Sequence, residues 1–123
     1  MLANTPIIGF IPTSNATRAR TFYEHTIGLR FVSQDNFAVV FDANGIMVRV
    51  TIVGKFTPHP FTIFGWQVQD IAAEVAALSA NGVTFSRFDF LDQNEAGIWD
   101  APGGTRVAWF TDPDGNTLSL SQH

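Results

Sequence analysis

Metal binding and proton transfer need several lone-pair donors held close together, and this chain offers few. It has three histidines, His25, His59 and His123, and no cysteine. No two histidines stand at i, i+4 or at strand-alternate spacing. Thiolate sites and disulfides are excluded, which fits a reducing compartment. Carboxylates gather late, at Asp89, Asp92, Glu95 and Asp100, with Glu24 far upstream. Asp92 and Glu95 fall near Trp99, where a carboxylate pair would suit acid–base work, although a solvated loop explains them as well. His59 sits in a proline-containing stretch from which it could fold over a binding surface. Asp112 and Asp114 belong to a Asp-Pro-Asp-Gly-Asn turn and read as structural. No glycine-rich phosphate loop or nucleophile–base pair stands out.

The more informative pattern is alternation. Thr117-Leu118-Ser119-Leu120-Ser121 follows that turn. Successive strand side chains point to opposite faces, so Leu118 and Leu120 face a core while Thr117, Ser119 and Ser121 face the other way. If Thr111 pairs with Thr117 across the turn, Trp109 lies opposite Ser119. The same period puts Met47, Arg49 and Thr51 opposite Val48, Val50 and Ile52. It sets Ile63, Gly65 and Gln67 against Phe64, Trp66 and Val68. Ile8 and Phe10 are placed inward in the first strand. The expected ligand-binding set is Phe10, Met47, Arg49, Thr51, Gln67, Trp99, Trp109, Ser119 and Ser121. Such an amphipathic lining suits an organic ligand with a polar or anionic edge. The plainer alternative is a wet face of an antiparallel sheet.

These residues need elements to hold them. Ile7 to Ile11 reads as a buried strand ended by Pro12. Asn15 caps a helix whose apolar face is Ala19, Phe22, Tyr23 and Ile27, closed by Gly28. Strands follow at Leu29–Ser33, Phe37–Phe41 and Met47–Val53, the last two joined by an Asn44-Gly45 turn. After a connector at 54–61 the order repeats. A strand spans Thr62 to Val68, and Asp70 caps a helix carrying Ile71, Val75 and Leu78. Asn81-Gly82 ends that helix. Strands are expected at Val83–Phe88, weakly from Gly97-Ile98-Trp99, at Arg106–Thr111 and after the Asp-Pro-Asp-Gly turn. The expected fold is α+β: one domain over 1–123, built of a βαβββ module at 4–53 and another at 62–122. Helices covering one face would leave a curved mixed sheet enclosing a concave interior, a cup.

Composition narrows the class. Hydrophobic residues make up 46% of the 123 and charged residues 15%, which excludes a disordered chain. A net charge of −4 without a Lys/Arg cluster argues against nucleic acid. No apolar run approaches the ~20 residues of a membrane span, and Met1 to Ile8 lacks the marks of a signal peptide. The expected setting is cytoplasmic.

Ala19-Arg-Thr-Phe-Tyr-Glu-His-Thr-Ile-Gly-Leu29 resembles the A..FY...LGL signature of the vicinal oxygen chelate superfamily, the glyoxalase, bleomycin-resistance and extradiol-dioxygenase group. Gly65-Trp-Gln-Val-Gln-Asp-Ile71, Ala80-Asn-Gly-Val83 and Trp109-Phe-Thr-Asp-Pro-Asp-Gly-Asn116 carry the likeness through the second half. The resemblance implies paired βαβββ modules forming a cup, usually in a dimer, with a divalent metal held by His and Glu in most catalytic members. Carried over by motif, those ligand positions fall at Ile8, Ile63 and Ser119, and, within a residue of register, at Arg49. Isoleucine offers no lone pair, and zinc wants imidazole, carboxylate or thiolate. At an effective dielectric of ~20, unit charges ~4 Å apart interact by about 4 kcal/mol, and a divalent ion beside Arg49 doubles that as repulsion. Three functions follow. One is a metal-independent, cofactor-free homodimer binding a small organic ligand, as bleomycin-type resistance proteins of the superfamily do. Another is a metal-dependent or metal-free enzyme of lyase, isomerase or dioxygenase type. The third is a structural or regulatory dimer with no ligand.

Overall fold

The structure, a computed structural model, describes all 123 residues. It divides into two compact units, Met1–Thr57 and Pro58–His123, with the division inside the proline-containing connector. Each unit is a βαβββ module with its own four-stranded mixed sheet, so the chain is α+β with two helices and eight strands.

In the first unit, β1 (Ile8–Thr13) leads to α1 (Ala16–Thr21), then β2 (Arg30–Gln34), β3 (Ala38–Ala43) and β4 (Ile46–Ile52). The strand order is β1-β4-β3-β2, with β1 parallel to β4 and the remaining pairs antiparallel. Pro12 does not end β1 as its type suggests; the strand runs to Thr13. An edge strand tolerates proline because it has a partner on one side only, so a missing N–H need not break the ladder. Asn15 caps α1 as expected, its side-chain oxygen accepting the Arg18 N–H at 3.0 Å. The helix then widens into a π-helical turn over Phe22–Thr26, where the Ile27 N–H reaches back to the Phe22 carbonyl at 2.9 Å. Ala19 and Tyr23 are buried, and Tyr23 packs on Phe41 with ring centres 6.1 Å apart. They cover Val39, Val48 and Val50, all fully buried. Asn44 and Gly45 both adopt positive φ, 52° and 85°, which gives the β3–β4 hairpin a twist matching its strands.

In the second unit, β5 (Thr62–Gln67) is followed by α2 (Ile71–Ala80), β6 (Trp99–Asp100), β7 (Arg106–Thr111) and β8 (Thr117–Gln122). The order is β5-β8-β7-β6, with β5 parallel to β8. Asp70 caps α2 by accepting the Ala73 N–H at 3.1 Å. The Gln122 side chain accepts the Ile71 N–H at 2.9 Å, tying the helix start to the end of β8. Ile71 and Val75 cover Ala108, Phe110, Leu118 and Leu120, and Phe110 also lies against Trp66 and Phe85.

One expected strand is absent. Val83–Phe88 forms no ladder, although the Ser86 N–H donates to the Trp109 carbonyl at 2.8 Å. At its ends the Val83 N–H donates to the Leu78 carbonyl at 3.0 Å and the Phe88 carbonyl accepts the Leu91 N–H at 3.1 Å, and a side chain takes further bonds. Gln93 accepts the Phe88 N–H at 2.8 Å and donates to the Ser86 and Gly97 carbonyls, each at 2.9 Å. One amide thus supplies pairing that a neighbouring strand would otherwise provide. No helix is long and apolar enough to cross a membrane.

Candidate functional site

On the second sheet, register decides which side chains share the face opposite α2. Trp109 pairs with Ser119, Val107 with Ser121 and Trp99 with Val107. On the other side of β8, Gly65 pairs with Ser119 and Gln67 with Ser121. Trp99, Trp109, Ser119, Ser121 and Gln67 therefore lie on one face, because paired residues point the same way. The Trp109–Ser119 register is the one the turn sequence predicts. Ile63 departs from simple alternation. It sits at a bulge, where the ladder between β5 and β8 slips by one residue.

Sequence reasoning missed Phe88 and Phe90 on this unit. Trp99 and Trp109 lie 6.1 Å apart and tilted by 31°. Phe88 stands perpendicular to Trp109 at 5.4 Å, and Phe90 packs on Phe88 at 5.6 Å. Edge-to-face pairs of this kind fix ring orientation as well as burying area. The signal is Phe88-Asp-Phe90, two rings at alternate positions, at the end of the expected strand and just beyond it. Phe90 is 81% exposed, so the aromatic cluster reaches the surface. Arg106 is held by Asp100 at 2.7 Å, and both terminal nitrogens of Arg87 donate to backbone carbonyls, of Asn94 and Gln93.

Gly65 leaves room for Ser119. A Cβ built at Gly65 would stand 2.6 Å from Ser119 Oγ and 2.8 Å from the Ser119 carbonyl oxygen. The hydroxyl can rotate away but the carbonyl is locked in the ladder. Gly65→Ala is therefore expected to lower stability by about 1–3 kcal/mol, as overpacking generally does, read as a lower denaturant midpoint with unchanged slope.

On the first sheet, the face opposite α1 holds Ile8, Phe10, Met47, Arg49 and Thr51. Ile8 pairs with Met47, Phe10 with Arg49 and Pro12 with Thr51. Ile8, Phe10 and Met47 are exposed, while Arg49 and Thr51 are half-buried. Arg49 makes no ion pair or hydrogen bond within the protein. Its charge acts on Asp35, whose carboxyl is held below the usual range first by the Phe37 and Ala38 N–H groups and then by the guanidinium. The Thr51 hydroxyl oxygen is buried without a hydrogen-bond partner. Buried polar atoms rarely stay unpaired, so this face retains unused hydrogen-bonding capacity.

The histidines are dispersed in three local settings. His25 lies 3.5 Å from Glu24, His59 stacks on Phe61 at 5.0 Å, and His123 Nε2 lies 3.3 Å from Ser121 Oγ. Asp89, Asp92 and Glu95 are exposed. No group of three or more His, Asp or Glu side chains is placed to hold a metal ion.

Comparison with known proteins adds a family. The sequence model of the Glyoxalase/Bleomycin resistance protein/Dioxygenase superfamily matches residues 7–120. No curated protein matches the chain. Among solved structures, a member of that superfamily from Sphaerobacter thermophilus is 22% identical with a TM-score of 0.75, each chain covered over 100% of its length. Lactoylglutathione lyase from Agrobacterium tumefaciens is 15% identical with a TM-score of 0.72, over 97% of this chain and 93% of that one. A glyoxalase/bleomycin resistance protein/dioxygenase from Alicyclobacillus acidocaldarius is 17% identical with a TM-score of 0.69, over 98% and 92%. At these identities the likeness speaks for the fold.

Proposed function

The chain belongs to the glyoxalase/bleomycin resistance protein/dioxygenase superfamily, and from that premise we propose that it is a metal-independent, homodimeric binder of a small organic ligand. The observation that carries the reading is Arg49: a half-buried arginine that makes no hydrogen bond or ion pair within the protein, in register with the exposed Phe10. An arginine in that state is suited to a carboxylate or carbonyl group, which its planar donors can grip in a forked pair. The aromatic face of the second sheet supports the same class of ligand, since Trp99 and Trp109 offer flat surface beside the hydroxyls of Ser119 and Ser121.

Metal independence is supported by side-chain chemistry. Carried over by motif, the superfamily's metal-ligand positions fall at Ile8, Ile63 and Ser119 and, within a residue of register, at Arg49. Two hydrocarbons, a fixed cation and a neutral hydroxyl do not make a donor set for a divalent ion. Recognition would then rest on stacking and hydrogen bonding.

The test combines four measurements. Protein purified without chelator is expected to carry substoichiometric metal by elemental analysis. Aromatic carboxylates screened by thermal shift are expected to yield a ligand that, at a hundred times its dissociation constant, stabilises the fold by about 2.7 kcal/mol. Arg49→Ala is expected to weaken that ligand roughly tenfold to a hundredfold, the loss of one charge-assisted hydrogen-bonded contact of about 1.5–3 kcal/mol. Sedimentation should give twice the chain mass. Stoichiometric Zn, Ni, Mn or Fe would overturn the metal-free reading and favour the enzymatic alternative. An Arg49→Ala protein that binds as the parent does would remove the anion anchor.

A further inference from the structure

We propose that Ser121 and His123 form a nucleophile–base pair able to accept an acyl group from an activated aryl ester. Ser121 lies near the end of β8, and His123, the residue after that strand, turns its ring back to the serine. Their approach is 3.3 Å between Ser121 Oγ and His123 Nε2. That separation is at the loose end of what such pairs show before a substrate draws them together. With its proton on Nδ1, the imidazole presents Nε2 as acceptor to the serine hydroxyl.

The serine is the fixed member. The Ser121 carbonyl accepts the Val68 N–H at 2.8 Å, and the residue is paired with Val107 on one side and Gln67 on the other. A nucleophile held in two ladders does not have to be ordered when substrate arrives. The imidazole is exposed to solvent. The surrounding face suits an aryl ester. Val107 and Trp99 lie beside Ser121 in the sheet, and Gln67 brings a side-chain amide, an N–H donor type that stabilises an oxyanion.

The chemistry closes without an added reagent beyond water. Ser121 Oγ attacks the ester carbonyl carbon while His123 Nε2 takes the hydroxyl proton. The bond from that carbon to the aryl oxygen breaks, and the departing oxygen takes the proton from His123. Water then attacks the acyl-serine, giving a proton to His123. The bond to Ser121 Oγ breaks, and the serine recovers that proton as the carboxylic acid leaves. No carboxylate is placed to orient the imidazole, so turnover should be slow and the acyl-serine long-lived.

The test is fluorophosphonate labelling of the full chain followed by peptide mass mapping, with p-nitrophenyl acetate hydrolysis in parallel. Labelling is expected at Ser121, to be abolished by Ser121→Ala and slowed at least 100-fold by His123→Ala, the ordinary contribution of a positioned base. His123→Ala alters an exposed residue beyond the last strand, so the fold should survive it even if Ser121→Ala does not. Label distributed over other serines, or labelling of Ser121 at an unchanged rate in His123→Ala, would overturn the proposal. The metal and ligand measurements on Arg49 are independent of both outcomes.

Discussion

Asp112→Ala is expected to destabilise the protein by about 3 kcal/mol, a drop of roughly 10–15 °C in Tm for a chain of this size. Asp112 is only 5% exposed and sits between β7 and β8. One of its oxygens accepts the Asp114 N–H at 2.9 Å and the Asn116 N–H at 3.0 Å. The other accepts from Asn116 Nδ2 at 2.9 Å, and Asn116 is itself buried. Truncation leaves three donors without this acceptor, two of them on a buried residue, and unmet buried donors cost more than a hydrogen bond contributes. Asp112→Asn should fall between parent and Ala. It can keep the two backbone bonds but turns the third into a contact between two amide donors. Denaturant melts of the three proteins check the order. An Asp112→Ala midpoint equal to the parent's would show that the turn holds itself. The consequence reaches the candidate site, because this turn sets the register that places Trp109 opposite Ser119.

Gln93→Ala is expected to cost about 2–3 kcal/mol and to loosen the aromatic cluster, since one half-buried amide makes three hydrogen bonds to Phe88, Ser86 and Gly97. Exchange of the Phe88 amide proton should accelerate and tryptophan emission should change, because Phe88 packs directly on Trp109. Gln93→Glu should do no better than Ala. It keeps the acceptor for the Phe88 N–H but sets a carboxylate oxygen against the Ser86 and Gly97 carbonyls. Protected Phe88 exchange in Gln93→Ala would mean that apolar packing alone holds the segment.

Most of the architecture was legible because its causes are short-range. Both helix caps, Asn15 and Asp70, act on backbone three residues away. The Asn44-Gly45 hairpin is decided by two residues that tolerate positive φ. Alternation in β8 and the turn before it were enough to place Trp109 across from Ser119. The misreadings have longer-range causes. Pro12 lies inside β1 because that strand is an edge, a fact of sheet order. Val83–Phe88 has the composition of a strand, yet Gln93, five residues beyond it, takes the bonds a partner strand would need. The π-helical turn at Phe22–Thr26 leaves no mark in the spacing of apolar residues, since it shifts the pattern by a single position.

The candidate site divides along the same line. By itself the sequence determined the order of the two βαβββ modules, the superfamily, and which side chains alternate away from Leu118 and Leu120, because period, capping and turn chemistry act between near neighbours. Only the tertiary structure decided that Arg49 makes no hydrogen bond or ion pair, that Thr51 keeps a buried oxygen unpaired, that Phe88 joins Trp109, and that His123 meets Ser121. The reason is physical. Which face a strand residue takes follows from backbone geometry, but what its side chain finds there depends on strands and loops that converge only on folding.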